Sequence, residues 1–199
     1  MSASISPAGP RVRRCRLAVP ALRFAATVLA CSVSIPLHSD SRRLTLPEVK
    51  ASFLVTLAKF VEWPDGIFSS SREPVVFGII GADPLDISLS RAVYGQSIKG
   101  RTVTVRKYRL GEDLRSCQVL FISASEKPHL PQILANVAGA SVLTVSESPR
   151  FTEAGGVIQM TVEENRVRFS VNRNAAASAR LQISAKLLVL GQVNVLGAR

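Results

Sequence analysis

The chain has 199 residues, a formal charge of +11 and a 47% hydrophobic composition, enough to build a real core without metal or disulfide staples. The charge invites a polyanion as partner, but its distribution argues against one. Arg11, Arg13, Arg14, Arg16 and Arg23 all precede or border an apolar run from Phe24 to about Ile35, and no acidic residue occurs before Asp40.

A positive stretch followed by a short apolar run is the layout of a secretory leader. The run is about half of the roughly 20 apolar residues a bilayer span requires, which argues against a permanent transmembrane helix there. Residues 1–34 therefore read as a signal peptide removed in front of Ile35, with small residues at Ser32 and Ser34 to suit cleavage. Residues 35–46 read as a linker, 47–193 as one domain and 194–199 as a tail. Val28-Leu29-Ala30-Cys31 offers a second option, a lipobox with Cys31 as the anchored residue, although leucine beside the small residue fits it poorly. Without the leader, roughly 20 basic residues face 14 acidic ones, a charge of about +6. The remaining Lys and Arg are scattered, and Arg101, Arg106, Lys107 and Arg109 read as the solvated edge of a strand rather than a nucleic-acid surface.

Thr45 to Pro64 reads as a complete helix. Thr45 and Glu48 have capping-box spacing, and Val49, Phe53, Leu57 and Phe60 recur at helical intervals, widened by Leu54, Ala58 and Val61. Pro64-Asp65-Gly66 supplies the stop. Lys59 and Glu62, three apart, are placed to pair across that helix. Pro74 to Ile80 is a short apolar run bounded by turn residues, the pattern of a strand buried on both faces. Asp83 and Pro84 then open a helix reaching about Tyr94. Thr102 to Val105 alternates as a strand, Leu110 to Ser116 is a helical turn, and Gln118 to Ile122 is a third apolar strand. Pro128 to Val137 is predicted helical, Ser141 to Val145 extended, and Pro149 to Ala154 a short helix closed by Gly155-Gly156. Val157 to Val162 and Arg166 to Val171 flank Glu163-Glu164-Asn165 as a hairpin. Asn172 to Ala179 and Ile183 to Leu190 close the chain as helices. The pattern predicts a single-domain α/β fold: a mostly parallel sheet with helices on both faces and a C-terminal antiparallel hairpin.

Cys15 and Cys31 fall in the leader, so Cys117 is the thiol of the folded domain, placed ahead of an apolar strand where burial makes it inert. Enzyme signatures are missing. Gly78-Ile79-Ile80-Gly81 lacks the third glycine of a dinucleotide fingerprint, and neither a phosphate-binding loop nor a nucleophile elbow occurs. His129 reads as a surface residue, and Glu163-Glu164 as solvated carboxylates. No catalytic residue, metal or cofactor is expected. If the strand order is flavodoxin-like, a crevice lies between the first and third strands, lined by Gly81, Asp83, Ser123 and Ser125. Trp63 has two readings, a core plug at a helix end or a contact residue for a partner. On the second reading, Trp63→Ala weakens partner binding and leaves the thermal midpoint nearly unchanged.

Taken together, "VKASFLVTLAKFVEWP", "FGIIGADP", "GRTVTVRKY", "CQVLFIS", "SVLTVSESPRFTEAGGVIQM", "RVRFSVNRNAA" and "LQISAKLLVL" resemble the YfiR-like family over essentially the whole mature chain. The resemblance implies a periplasmic, non-enzymatic repressor that binds the periplasmic sensor region of an inner-membrane diguanylate cyclase. Cyclic di-GMP and biofilm formation fall as a result, an outer-membrane lipoprotein can sequester the repressor, and the family tends to form homodimers. Lys59, Phe60, Trp63 and Pro64 match the family's first motif, and Arg168, Asn172, Ser184 and Lys186 its last ones; these are the expected partner-binding residues. Family members often pair a first-strand cysteine with the one ahead of the third strand. Here Gly78 stands at the first position while Cys117 remains, and a second family bridge has no cysteines in this chain. The competing class is a periplasmic sensor or carrier of a small ligand, using the crevice near Asp83 and Ser123.

Overall fold

The computed structural model describes residues 44–163, 166–190 and 195–196. The leader with Cys31, the linker up to residue 43, the hairpin-tip residues Glu164 and Asn165, and most of the tail lie outside the described residues.

Helix α1 spans Leu46–Lys59. Its start follows the sequence: the Thr45 amide and hydroxyl both donate to Glu48 Oε2, at 2.8 and 2.9 Å. Its end does not. The helix stops at Lys59, Phe60 turns, and Val61–Glu62 become a short strand, β1. The buried stripe is also rotated from the expected one. Lys50, Ala51, Leu54, Val55, Leu57 and Ala58 are buried, whereas Val49, Phe53 and Phe60 are only half-buried.

The central strands follow in order. They are β2 (Val75–Ile80), α2 (Leu85–Val93), β3 (Ser97–Ile98), β4 (Arg101–Tyr108), β5 (Val119–Ile122), α3 (Leu130–Asn136) and β6 (Leu143–Ser146). The chain closes with β7 (Ile158–Glu163), β8 (Arg166–Asn172), α4 (Arg173–Ser178), β9 (Gln182–Ile183), α5 (Ala185–Leu190) and β10 (Val195–Leu196). The main sheet runs β10-β8-β7-β6-β5-β2-β4-β3. Within the run β4-β2-β5-β6-β7 each strand is parallel to the next, while β3 joins β4, and β8 joins β7, in antiparallel hairpins. The five central parallel strands thus have the flavodoxin-like order, with the reversal between β2 and β5.

One expected helix is absent and another starts late. Residues 149–155 form turns, because Arg150 takes a left-handed conformation at φ 60° and the Phe151 amide donates to Gln159 Oε1 at 2.9 Å. Ile183 belongs to β9, which pairs antiparallel with β1, and helix α5 begins two residues later.

Alternation along the strands divides the core into two layers. Phe77, Ile79, Val119, Phe121, Leu143 and Val145 face α1 and α2. Ile80, Leu120, Ile122 and Cys117 face α3 and the Phe151 turn. Fully buried side chains such as Phe77 and Phe121 each contribute about 1.5–3 kcal/mol relative to exposure. The Phe53 ring meets the Phe169 ring of β8 at 5.2 Å, tying α1 across to the hairpin.

Candidate functional site

The first and last motifs of the domain meet in space. Val61 pairs with Ile183 and Glu62 with Gln182, and the Ser184 amide donates to the Phe60 carbonyl at 2.9 Å. Phe60 rests half-buried on the core, Ser184 Oγ accepts from the Lys186 amide at 3.3 Å, and Lys186 is exposed. Lys59 and Glu62 do not pair with each other, because the helix has ended between them. Lys59 Nζ instead donates to Gln96 Oε1 at 3.3 Å, and Glu62 meets Lys99 at 3.5 Å.

Trp63 is half-buried and packs against the core beside a cavity of about 80 Å³ lined with Phe68, Val75 and Ile98. Its indole Nε1 is buried and finds no acceptor among the described residues. The cavity's outer wall includes Arg101, whose guanidinium lies 3.8 Å above the Phe68 ring and donates to the Ser70 and Glu73 carbonyls. Pro64 follows half-buried, its carbonyl receiving the Ile67 amide at 3.4 Å. Phe60, Trp63, Pro64, Ser184 and Lys186 therefore sit on or next to the β1/β9 pair.

Asn172 and Arg168 stand elsewhere. Asn172 caps α4, accepting from the Ala175 amide at 2.9 Å, and donates to the Thr152 carbonyl at 2.7 Å. It also lines a depression of about 320 Å³ between α3 and α4. Arg168 is exposed on β8, opposite Thr161.

The crevice residues lie together at the carboxyl ends of β2 and β5. Ser123 Oγ donates to the Ala82 carbonyl at 2.9 Å, and the Ala82 amide donates to Ser125 Oγ at 3.0 Å. Gly81 has φ +95°, and a Cβ there would stand 2.6 Å from Ser125 Oγ. Close approach of the two loops joins these groups to one another. Asp83 Oδ1 accepts from the Leu85 amide at 2.9 Å, opening α2.

Sequence reasoning missed the ion cluster beside this crevice. Lys50, buried on α1, reaches Glu147 at 2.6 Å just past β6 and Asp83 at 3.5 Å just past β2. The signal was present: Lys50 lies one helical turn before Leu54 on the apolar face, where an unpaired ammonium is too costly to keep. Only the fold shows which carboxylates answer it.

His129 is about half exposed with Nδ1 3.0 Å from Glu126, and Cys117 is buried with its thiol pushed up to about 12 by desolvation. Neither has the geometry of a base or nucleophile in a cleft.

Residues 47–192 match the family described as YfiR/HmsC-like. The chain belongs to that family. Its members are periplasmic and regulatory rather than catalytic, and the family points to control of a diguanylate cyclase. Among curated proteins none matches the chain. Among the described residues, no helix is long and apolar enough to cross a membrane.

Proposed function

We propose that this protein is an exported, non-enzymatic repressor of a membrane-bound diguanylate cyclase. It would act by binding the cyclase's periplasmic sensor region and so lower cyclic di-GMP and restrain biofilm formation. The observation that carries the reading is the family match across residues 47–192. Repression by binding requires a higher affinity for the inactive cyclase than for the active one. The proposed contact region is the β1/β9 pair with Lys59, Phe60, Trp63, Pro64, Ser184 and Lys186, with Arg168 and Asn172 contributing separately. Removal of residues 1–34, the 47–193 domain boundary, a homodimer and sequestration by an outer-membrane lipoprotein belong to the same proposal.

Affinity purification of the tagged protein from envelope extracts, with mass spectrometry of what accompanies it, tests this. The expected catch is a membrane protein with a periplasmic sensor and a cytoplasmic GGDEF domain, and deleting the protein should raise cyclic di-GMP. An abundant bait without any membrane partner would overturn the reading.

The strand order favours a second reading, a small-ligand sensor or carrier using Gly81, Asp83, Ser123 and Ser125, since ligands in such sheets bind at the reversal point. A metabolite screen by thermal shift tests it, and Ser125→Ala should abolish any shift found.

A further inference from the structure

The outer edge of β4 is open. Its inner side pairs with β2 from Val103 to Tyr108, but on the outer side β3 covers only Arg101 and Thr102. Among the described residues no strand pairs with the remainder of that edge. The β3–β4 turn fixes which groups are left. Lys99 and Gly100 both have positive φ, 51° and 78°, so the two-residue turn is of the type in which Ile98 and Arg101 exchange hydrogen bonds. The backbone of Arg101 thus faces β3. By alternation, the amides and carbonyls of Val103, Val105 and Lys107 face the same way, outward.

A groove runs beside this edge, between β4 and α2. One part, about 530 Å³, is lined by Ile87, Arg91, Tyr94, Val105 and Lys107; a second, about 550 Å³, shares Ser90, Tyr94 and Val105 with it. Two large apolar side chains stand at its rim, Tyr94 at 89% exposure and Ile87 at 60%. On the other face of β4, Arg106 lies over the Tyr108 ring at 4.5 Å and keeps more than half its side chain in solvent. Basic groups outnumber acidic ones here. Arg91, Arg101, Arg106, Lys107 and Arg109 surround the edge, against Asp86 paired to Lys107 and Glu112 paired to Arg106.

We propose that the outer edge of β4 is a docking site for an extended, acidic segment of a partner protein, which adds to the sheet as a further strand. The unpaired amides of Val103, Val105 and Lys107 supply the register. Side chains on one face of the incoming strand settle on Tyr94 and Ile87, and carboxylates on the other meet Arg106. A second copy of this chain is the poorer occupant, because its own β4 would bring Arg106 and Lys107 against the same basic edge. The inference stands apart from the cyclase reading, since any partner could donate such a strand.

The test uses the protein from residue 35 onward and two synthetic peptides of equal length, one alternating valine with glutamate and one alternating valine with lysine. The glutamate peptide should bind and slow hydrogen exchange at the Val103, Val105 and Lys107 amides, measured by NMR. Val105→Pro removes an outward donor and spares the β2 ladder, so affinity should fall about tenfold or more. Arg106→Glu, on an exposed side chain, should weaken the glutamate peptide and improve the lysine one; it decides the matter if the proline variant does not fold. Equal binding of the two peptides, no binding of either, undiminished binding to a folded Val105→Pro, or protection of those amides by self-association would each overturn the proposal.

Discussion

Cys117 Sγ lies 3.0 Å from the point where a Cβ would stand on Gly78, the distance a β-carbon keeps to the far sulfur of a disulfide. The β2–β5 pairing that puts Gly78 opposite Leu120 creates this proximity. The strand therefore retains the geometry of a bridge that its residues cannot form. Gly78→Cys should close it on air oxidation, with loss of both free thiols in an Ellman titration. Across a loop of roughly 40 residues the gain is about 3–4 kcal/mol by denaturant unfolding, reversed by dithiothreitol. The Tyr108 ring, 2.9 Å from the new Cβ, must shift to admit it. Two titratable thiols persisting under oxidant would show that it does not.

The wild-type thiol carries a pH signature. Burial raises Cys117 from an ordinary value of 9.0 to about 12. Below pH 9 the thiol is neutral folded or unfolded, and its contribution is fully present. As pH rises from 9 towards 12 the unfolded chain ionises while the folded thiol holds its proton, so stability is lost. Tyr108, raised chiefly by its own desolvation, acts with the same sign at higher pH. The urea midpoint should fall between pH 8 and pH 10.5, and fall less in Cys117→Ala. Equal slopes for the two proteins would refute the assignment.

Lys50 should be the most sensitive charged position in α1. Lys50→Met keeps the apolar stem but leaves Glu147 and Asp83 without their cation, at a cost of about 3–5 kcal/mol. Adding Glu147→Gln should recover much of that loss. A double-mutant cycle measures the coupling, and simple additivity would mean that the cluster contributes no pairing energy.

Trp63 now has a specific expectation. Packed on the core, with an indole nitrogen that finds no acceptor among the described residues, it should cost about 3 kcal/mol as Trp63→Ala, so the thermal midpoint falls rather than holding. Trp63→Phe, which removes the orphan donor and keeps most of the ring, should be near neutral. Partner binding measured with the phenylalanine variant then separates contact from packing. A phenylalanine variant as unstable as the alanine one would place the indole's shape, not its burial, at the centre of the effect.

Local signals were legible and distant ones were not. The α1 start was readable because Thr45 and Glu48 satisfy each other within one turn. Strands β2 and β5 were readable because continuous apolar runs suit strands covered on both faces. The α1 end and the Gln182–Ile183 strand were not, since each takes its conformation from the other. Residues 149–155 were misread because Arg150 turns left-handed and the Phe151 amide is shared between the Ser148 carbonyl and Gln159 of β7. The Lys50 cluster escaped for the same reason: its carboxylates enter from two other loops.

The β1/β9 pair also sets the order in which the molecule can be finished. Its halves lie roughly 120 residues apart, among the longest closures in the fold. A chain emerging amino-terminus first has α1 and the five central parallel strands in hand before Gln182 arrives to fix the turn at Phe60. Until then Val61 and Glu62 have no backbone partner, and Trp63 has an unfinished seat. The segment proposed to meet the partner is thus among the last parts to mature. A nascent or truncated chain would carry a sheet but not the completed contact region.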